Sequence, residues 1–381
     1  MQIGVFTPLP PEKTGVAKSA FDIFSSVIAQ IDFVSNFKNI FNYFYCLKMA
    51  KFKNISKFKH IKLTRKNYDK EIYVLGNSKF HYSYLLRAIK TKNNSCSRWI
   101  SLAETQICGL LEYYCNKQKL NFNKLLKKYY PEKTEIIENL KPENVFETLN
   151  KNNIYGIRIL ADLTGVENFI LYREYGKELF LKDLENSSID SSKLNIKVVP
   201  MPIQDLTNTP KTEIKSDKKY IIGSFGIAHS IKQTDKIIDA VNLLNKEGKS
   251  VALLLAGYSL NKYLKAYDTT NIIAVENPTT LDLHKLMNSV DLAVQLRAIS
   301  NGEGSGCICE LIGLNKPFIA TDNLLEPHFA DFCTPVPSEI TVADLAELIW
   351  TKLTNENTKN NADTLNQFSF EATAKNIMGE I

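Results

Sequence analysis

A chain of 381 residues is too long for one ordinary hydrophobic core, so two domains are expected. Apolar content of 44% and charged content of 23% fit a soluble globular protein, and a net charge of +6 does not by itself call for nucleic acid. The longest apolar runs fall far short of the roughly 20 residues needed to span a bilayer, which excludes a transmembrane helix.

QIGVFT reads as a first strand, PLPPEKTG as a loop, and VAKSAFDIFSSVIAQI carries apolar residues at helical spacing. DFVSNF is a weaker strand. EIYVLGN (71–77) is a buried strand that ends in Gly-Asn and leads into the helical FHYSYLLRAI. SRWISLAE (97–104) reads as a strand, and a long helical region covers about 105–150. YGIRILADLTG is helix, NFILY strand, REYGKELFLKDL helix and NIKVVPMPI strand. The polar, aperiodic segment 204–219 contains Pro210 and marks a domain boundary. The pattern then restarts. YIIGSFG is strand, QTDKIIDAVNLLNKEG helix, VALLLAGY and NIIAVEN strands, LDLHKLMNSV helix, DLAVQLR strand, GSGCICELIGLN helix, KPFIATD strand and TVADLAELIWTKL helix. FSFEATAKNIMGEI closes the chain as an amphipathic helix. Alternating strands and helices of this kind predict α/β architecture with parallel, helix-covered sheets.

The seven cysteines form no C-x-x-C pairs, and their number is odd. They read as free thiols of a reducing compartment, with no disulfide frame and no zinc site. The start MQIGVFTPLPPEKTG lacks a basic segment followed by a long apolar core, so no signal peptide is expected and the chain reads as cytoplasmic.

Ligands of open parallel sheets bind at the carboxyl ends of strands. The loops there are PLPPEKTG, GIAHSIK, the turn around VENPTT, and RAISNGEGSG. Gly304, Ser305 and Gly306 stand where a helix begins, and its unpaired N–H groups and dipole favour an anion. Glu310, two turns on, is suited instead to accept hydrogen bonds from hydroxyls such as those of a ribose. Lys232 can neutralise a pyrophosphate as a point charge. Cys307 and Cys309, on the helix between the glutamates, read as small core residues.

These segments resemble the GT-B fold glycosyltransferases, most of all glycosyltransferase family 4. GVFTPLPPEKTGVAKSA is similar to that family's opening strand and glycine loop, and VLGNSKFHYSYLL to its "LGN…H" segment. GSFGIAHSIKQTDKIIDAV is similar to the strand and basic loop that open its nucleotide domain. DLAVQLRAISNGEGSGCICELIGLNKPFIATD is similar to its signature of paired glutamates, and FSFEATAKNI to its terminal helix. The likeness covers both ends and most of the C-terminal half; it is weakest over 31–70 and 105–150.

The resemblance implies two Rossmann-like domains facing across a cleft. Residues 1–203 would form the acceptor-side domain, 204–219 a linker, 220–360 the nucleotide-sugar domain, and 361–381 a helix crossing back to the first. It implies transfer of a sugar from a nucleotide-diphosphate donor to a hydroxyl acceptor with retention, and no metal or other cofactor. Glu303 would meet hydroxyls of the donor sugar, and the amides of Gly304, Ser305 and Gly306 would hold the diphosphate. Lys232, with His229, would stabilise the leaving group. Glu310 would bind the ribose. Gly15 and Gly226 would let the backbone approach the phosphates, and Val275, Glu276, Asn277 and Pro278 would lie against the base. His81 and Glu104 are the acceptor-side candidates.

The chain departs from the pattern in three places. Glu310 follows Glu303 by seven positions where eight is usual. Ala103 stands where many members carry a histidine, which puts acceptor-side or catalytic geometry in doubt. Where the family often carries a basic residue several positions before Lys232, no arginine stands here; His229 and Ser230 stand nearby. Ala103 keeps open a catalytically silent nucleotide-sugar-binding subunit, and the fold also admits a sugar-nucleotide epimerase. No G-x-G-x-x-G follows the first strand, which counts against a nicotinamide oxidoreductase. The basic, aromatic run Lys38–Lys70 suits an anionic membrane or a lipid-diphosphate acceptor better than nucleic acid. A composition heavy in Lys, Asn and Ile suggests an AT-rich bacterial genome, and with it surface polysaccharide or lipopolysaccharide assembly at the inner membrane.

Overall fold

In a computed structural model of the chain, the buried runs of the sequence pair into two separate sheets, and every strand pair is parallel. The structure describes residues 2–12, 14–26, 31–37, 39–50, 57–62, 68–92, 96–185, 187, 189–355 and 367–379. Two compact units form: Met1–Met201 with Asn301–Gly304 and Phe370–Ile381, and Pro202–Ser300 with Ser305–Ser369.

The first unit holds β1 (Ile3–Phe6), β2 (Ile31–Ser35), β3 (Lys57–His60), β4 (Lys70–Leu75), β5 (Ser97–Leu102), β6 (Asn168–Leu171) and β7 (Asn195–Val198), in the order β3-β2-β1-β4-β5-β6-β7. Helices cover both faces, so β1, β2 and β4 are buried along their whole length. This explains why they do not show a clean alternation of apolar and polar residues. Two cores result, one around Tyr73, Tyr84 and Phe169, the other around Phe21, Phe33 and Ile72. The closing helix Phe370–Met378 joins the second core through Ala374 and Ile377. It is also anchored by Lys70, whose buried ammonium donates to the Ile377 carbonyl at 3.2 Å.

The second unit holds β8 (Tyr220–Ile227), β9 (Val251–Tyr258), β10 (Ile272–Glu276), β11 (Leu292–Gln295), β12 (Phe318–Thr321) and β13 (Thr334–Val336), in the order β10-β9-β8-β11-β12-β13. The polar segment 204–219 is held against this unit: Leu206 N donates to Gly313 O at 2.9 Å, and Thr212 N to Ser289 Oγ at 2.7 Å. In each sheet the strand order reverses once, at β1/β4 and at β8/β11. A crevice at the carboxyl ends of the strands opens at such a reversal.

The structure refines one sequence expectation and changes another. The helical region 105–150 is divided into four helices, Cys108–Gln118, Phe122–Tyr129, Thr134–Glu138 and Val145–Lys151. Lys119 breaks the first by turning left-handed (φ 55°), and Pro131 lies between the second and third. The basic run contains helix Ile40–Ala50 and the edge strand β3, and parts of it are not surface at all. Lys59 is paired with Asp32 at 2.6 Å, and Lys70 is buried. Residues 38, 51–56 and 63–67 of that run lie outside the described residues.

Candidate functional site

The reversal point of the second sheet gathers several of the sequence candidates. Gly226, next to last in β8, adopts φ 104°, a conformation that favours glycine. A Cβ there would lie 2.6 Å from Lys232 Nζ, the mobile end of a long side chain, and 3.7 Å from Cys307 Sγ, an ordinary contact, so the backbone conformation rather than crowding selects glycine. The Lys232 ammonium therefore stands against the end of β8 and beside the first turn of helix Gly306–Gly313. Ser305 caps that helix, its Oγ accepting from Ile308 N at 3.4 Å. Gly306 is the first helical residue; a Cβ on it would meet nothing within 4 Å, and its φ is not positive. Neither packing nor backbone conformation requires glycine at this position. His229 caps its own short turn, Nδ1 accepting from Ile231 N at 3.1 Å.

Burial pushes the Cys307 thiol up to about 11, while the nearby charges of Lys232 and Arg297 pull it down and Glu310 raises it. Three charged groups thus bear on one turn of helix. Arg297 was not singled out from sequence, although it opens the RAISNGEGSG loop after β11. Cys309 is buried, in keeping with a core role. Glu310 is not isolated: its Oε1 lies 3.2 Å from Nε2 of His284. His284 sits on helix Thr280–Ser289 and gave no signal in sequence, where LDLHKL reads as ordinary amphipathic helix. Of the group expected beside a base, Val275 and Glu276 end edge strand β10. The Glu276 carboxylate accepts from Ser259 N at 2.8 Å and Asn261 N at 3.0 Å, so it caps the adjacent turn. Asn277 turns left-handed (φ 54°) and donates its N–H to Gly257 O at 2.7 Å, just before Pro278. Exposed apolar side chains, Ile227 and Tyr258, stand paired at the ends of β8 and β9.

The first unit contains the remaining candidates. Gly15 begins helix Gly15–Phe24 behind the cap Thr14, and a Cβ on it too would meet nothing within 4 Å. Within Asn301–Gly304, the Glu303 carboxylate accepts from Asn301 N at 2.6 Å, and Arg173 donates to the Glu303 carbonyl at 3.4 Å. Gly302 adopts φ 77° and presses on Gly176, where a Cβ would lie 2.5 Å from the Gly176 α-carbon. Thr105 N donates to Asn301 O at 2.8 Å, and Asn150 Nδ2 to Asn301 Oδ1 at 2.8 Å. Thr105, Asn150 and Arg173 therefore shape the loop that carries Glu303, a role that only the tertiary structure reveals. Gly304 packs against Met201.

His81 is 1% exposed, its Nδ1 lies 3.1 Å from Val74 O, and burial pulls its pKa down to about 4. It is a neutral, interior histidine. Glu104 Oε1 accepts from Asn77 N at 3.0 Å, and the Asn77 side chain in turn accepts from Gly109 N at 2.6 Å at the start of helix Cys108–Gln118. The "LGN" asparagine thus ties the end of β4 to the helix that follows β5.

No family model matches the sequence, and no curated protein matches it. Solved structures do. HepE from Anabaena, solved in complex with UDP and glucose, is 14% identical with a TM-score of 0.59, over 100% of this chain and 95% of its own. Sucrose-phosphate synthase from Thermosynechococcus elongatus is 11% identical with a TM-score of 0.63, over 100% and 98%. An Escherichia coli protein described as trehalose-6-phosphate, solved bound to UDP-2-fluoro glucose, is 10% identical with a TM-score of 0.61, over 100% and 98%. These likenesses, with the two parallel sheets of seven and six strands, establish that the chain has the GT-B fold of two Rossmann-like units.

Proposed function

We propose that this chain is a glycosyltransferase that moves a sugar from a nucleotide-diphosphate donor to a hydroxyl acceptor, with retention at the anomeric carbon. The observation that carries the reading is the placement of the Lys232 ammonium against Gly226 and beside the first turn of helix Gly306–Gly313, at the reversal point of the second sheet. A diphosphate there would accept from the free N–H groups of the helix start and from the ammonium. Charge that builds on the departing phosphate would be stabilised by groups already in place, the task a metal ion performs elsewhere. Glu310 would accept from the ribose hydroxyls, and Glu303 would orient hydroxyls of the donor sugar. Arg297 adds positive charge to the same end of the sheet.

The test is a calorimetric and thermal-shift panel of nucleotide sugars, because a ligand that binds only the native state raises the melting temperature. Binding of at least one nucleotide sugar, with release of nucleoside diphosphate when acceptor is added, supports the reading. Binding without turnover against any acceptor would leave a nucleotide-sugar-binding subunit, the alternative that Ala103 and the buried His81 favour.

Contact with an anionic membrane is supported by helix Ile40–Ala50, where Phe41 is 77% exposed and Phe44, Tyr45 and Leu47 are exposed beside Lys48. Apolar side chains flanked by lysine bind interfaces that carry negative lipids. Co-sedimentation with phosphatidylglycerol vesicles, lost in Phe41→Ser/Phe44→Ser, is the check. A surface-polysaccharide or lipopolysaccharide pathway at the cytoplasmic face of the inner membrane agrees with such a contact.

A further inference from the structure

We propose that His284 is a positioning residue for Glu310: by holding one carboxylate oxygen it sets the other to receive the ribose of the donor. This deepens the nucleotide-sugar reading above and rests on it. The His284 ring is nearly enclosed, its side chain 8% exposed, and the helix that carries it is fixed at its start by Thr279, whose Oγ accepts from Asp282 N at 3.2 Å. The Glu310 side chain is more open, at 23%, and reaches back to the ring, Oε1 to Nε2 at 3.2 Å. A carboxylate on a helix surface samples several rotamers, and freezing them on binding costs affinity. A buried donor that fixes one rotamer beforehand removes that cost. The ring must carry its hydrogen on Nε2 to donate, which leaves Oε2 of Glu310 to accept from a hydroxyl.

The neighbouring groups fit this assignment. Glu310 lies one turn along helix Gly306–Gly313 from Cys307, whose thiol stands beside Gly226 with the Lys232 ammonium, so the carboxylate is carried by the helix whose start would hold the diphosphate. A link between two helices that did no more than hold the fold would serve equally well with an apolar pair. A ribose-directed role makes a prediction that such a link does not: His284 should matter to the hydroxyls of the ligand and to nothing else about it.

The experiment measures calorimetric affinities of the full chain for UDP and GDP and for their 2′,3′-dideoxy counterparts. In the wild type, the ribose form of whichever base binds should be favoured about tenfold or more, the loss expected when a charged acceptor is left without its donors. In His284→Leu the ribose form should weaken about three- to tenfold while the dideoxy form keeps its affinity, so that the preference collapses. His284→Gln, whose Nε2 can donate from a similar position, should restore most of the preference. If the leucine variant loses its thermal transition, His284→Met carries the same comparison. An unchanged preference in the variant, or equal weakening of both forms, would assign His284 to structure alone and overturn the proposal. Failure of the wild type to bind either diphosphate would instead overturn the donor reading on which it stands.

Discussion

Replacing Gly306 by alanine should push stability and ligand affinity in opposite directions. A Cβ at this position meets nothing within 4 Å, and φ is not positive, so the substitution introduces neither clash nor strain. Glycine inside a helix is less favourable than alanine by about 0.8–1.0 kcal/mol, and at the first helical position about half of that applies. For a unit of this size that gain raises the melting temperature by about 1–2 °C. The same methyl group would stand where the diphosphate must approach the N–H groups of the helix start. Loss of one hydrogen bond to a charged oxygen costs about 1.5–3 kcal/mol, or roughly ten- to a hundredfold in affinity. Calorimetry with the best-binding nucleoside diphosphate and a thermal melt of the free protein measure both effects on one preparation. A variant that is as stable as the wild type or more so, yet binds the diphosphate equally well, would refute an anion site at this helix start.

Lys232→Ala should weaken nucleoside diphosphate binding about tenfold, while a nucleoside without phosphates binds as before; calorimetry that shows no change removes Lys232 from the phosphate site. Glu303→Gln should lower turnover about a hundredfold or more with an unaltered melting temperature, and unchanged turnover would remove Glu303 from the chemistry. A chelator should not inhibit transfer, and inhibition reversed by magnesium would contradict a leaving group stabilised by Lys232 and the helix start without a metal. His81, held neutral in the native state down to about pH 4, gives a signed pH effect. Between its unfolded value of about 6.5 and that native value, the unfolded chain takes up a proton that the folded chain does not, so stability falls as pH drops, by about 1.4 kcal/mol per unit from this group. Asp183 acts in the opposite direction below pH 6, because burial raises its pKa to about 6. Melts of wild type and His81→Asn between pH 6.5 and 4.5 isolate the histidine through the difference between their slopes, since Asp183 acts in both; equal slopes would show that it does not titrate as described.

Legibility in the sequence followed burial. β1, β4 and β9, enclosed on both faces, are mostly apolar, and they read correctly as strands. The edge strand β3, with the sequence KFKH, pairs with β2 alone and offers too little apolar surface to be seen. In sequence it merges with a basic run, yet Lys59 is paired with Asp32 and Lys70 is buried. In the candidate site, the expectation for Glu303, Gly306, Glu310 and Lys232 rests on residue types and spacing at strand ends, which are visible in the sequence. His284, Arg297, Thr105 and Asn150 were not, since each lies in a segment whose pattern is ordinary.

From local pattern alone, the chain specified two parallel α/β units and the helix start that suits an anion, because short buried strands, a helical repeat of about 3.6 residues and a glycine at the start of a helix are properties of neighbouring residues. What the tertiary structure decided was partnership. It turned His81 inward, bound Glu104 to Asn77 and Glu276 to a helix cap, and set His284 on Glu310. Each of these pairings joins residues 15 or more positions apart or depends on burial, and no local pattern encodes the distance between atoms brought together only by the packing of the sheets and their helices.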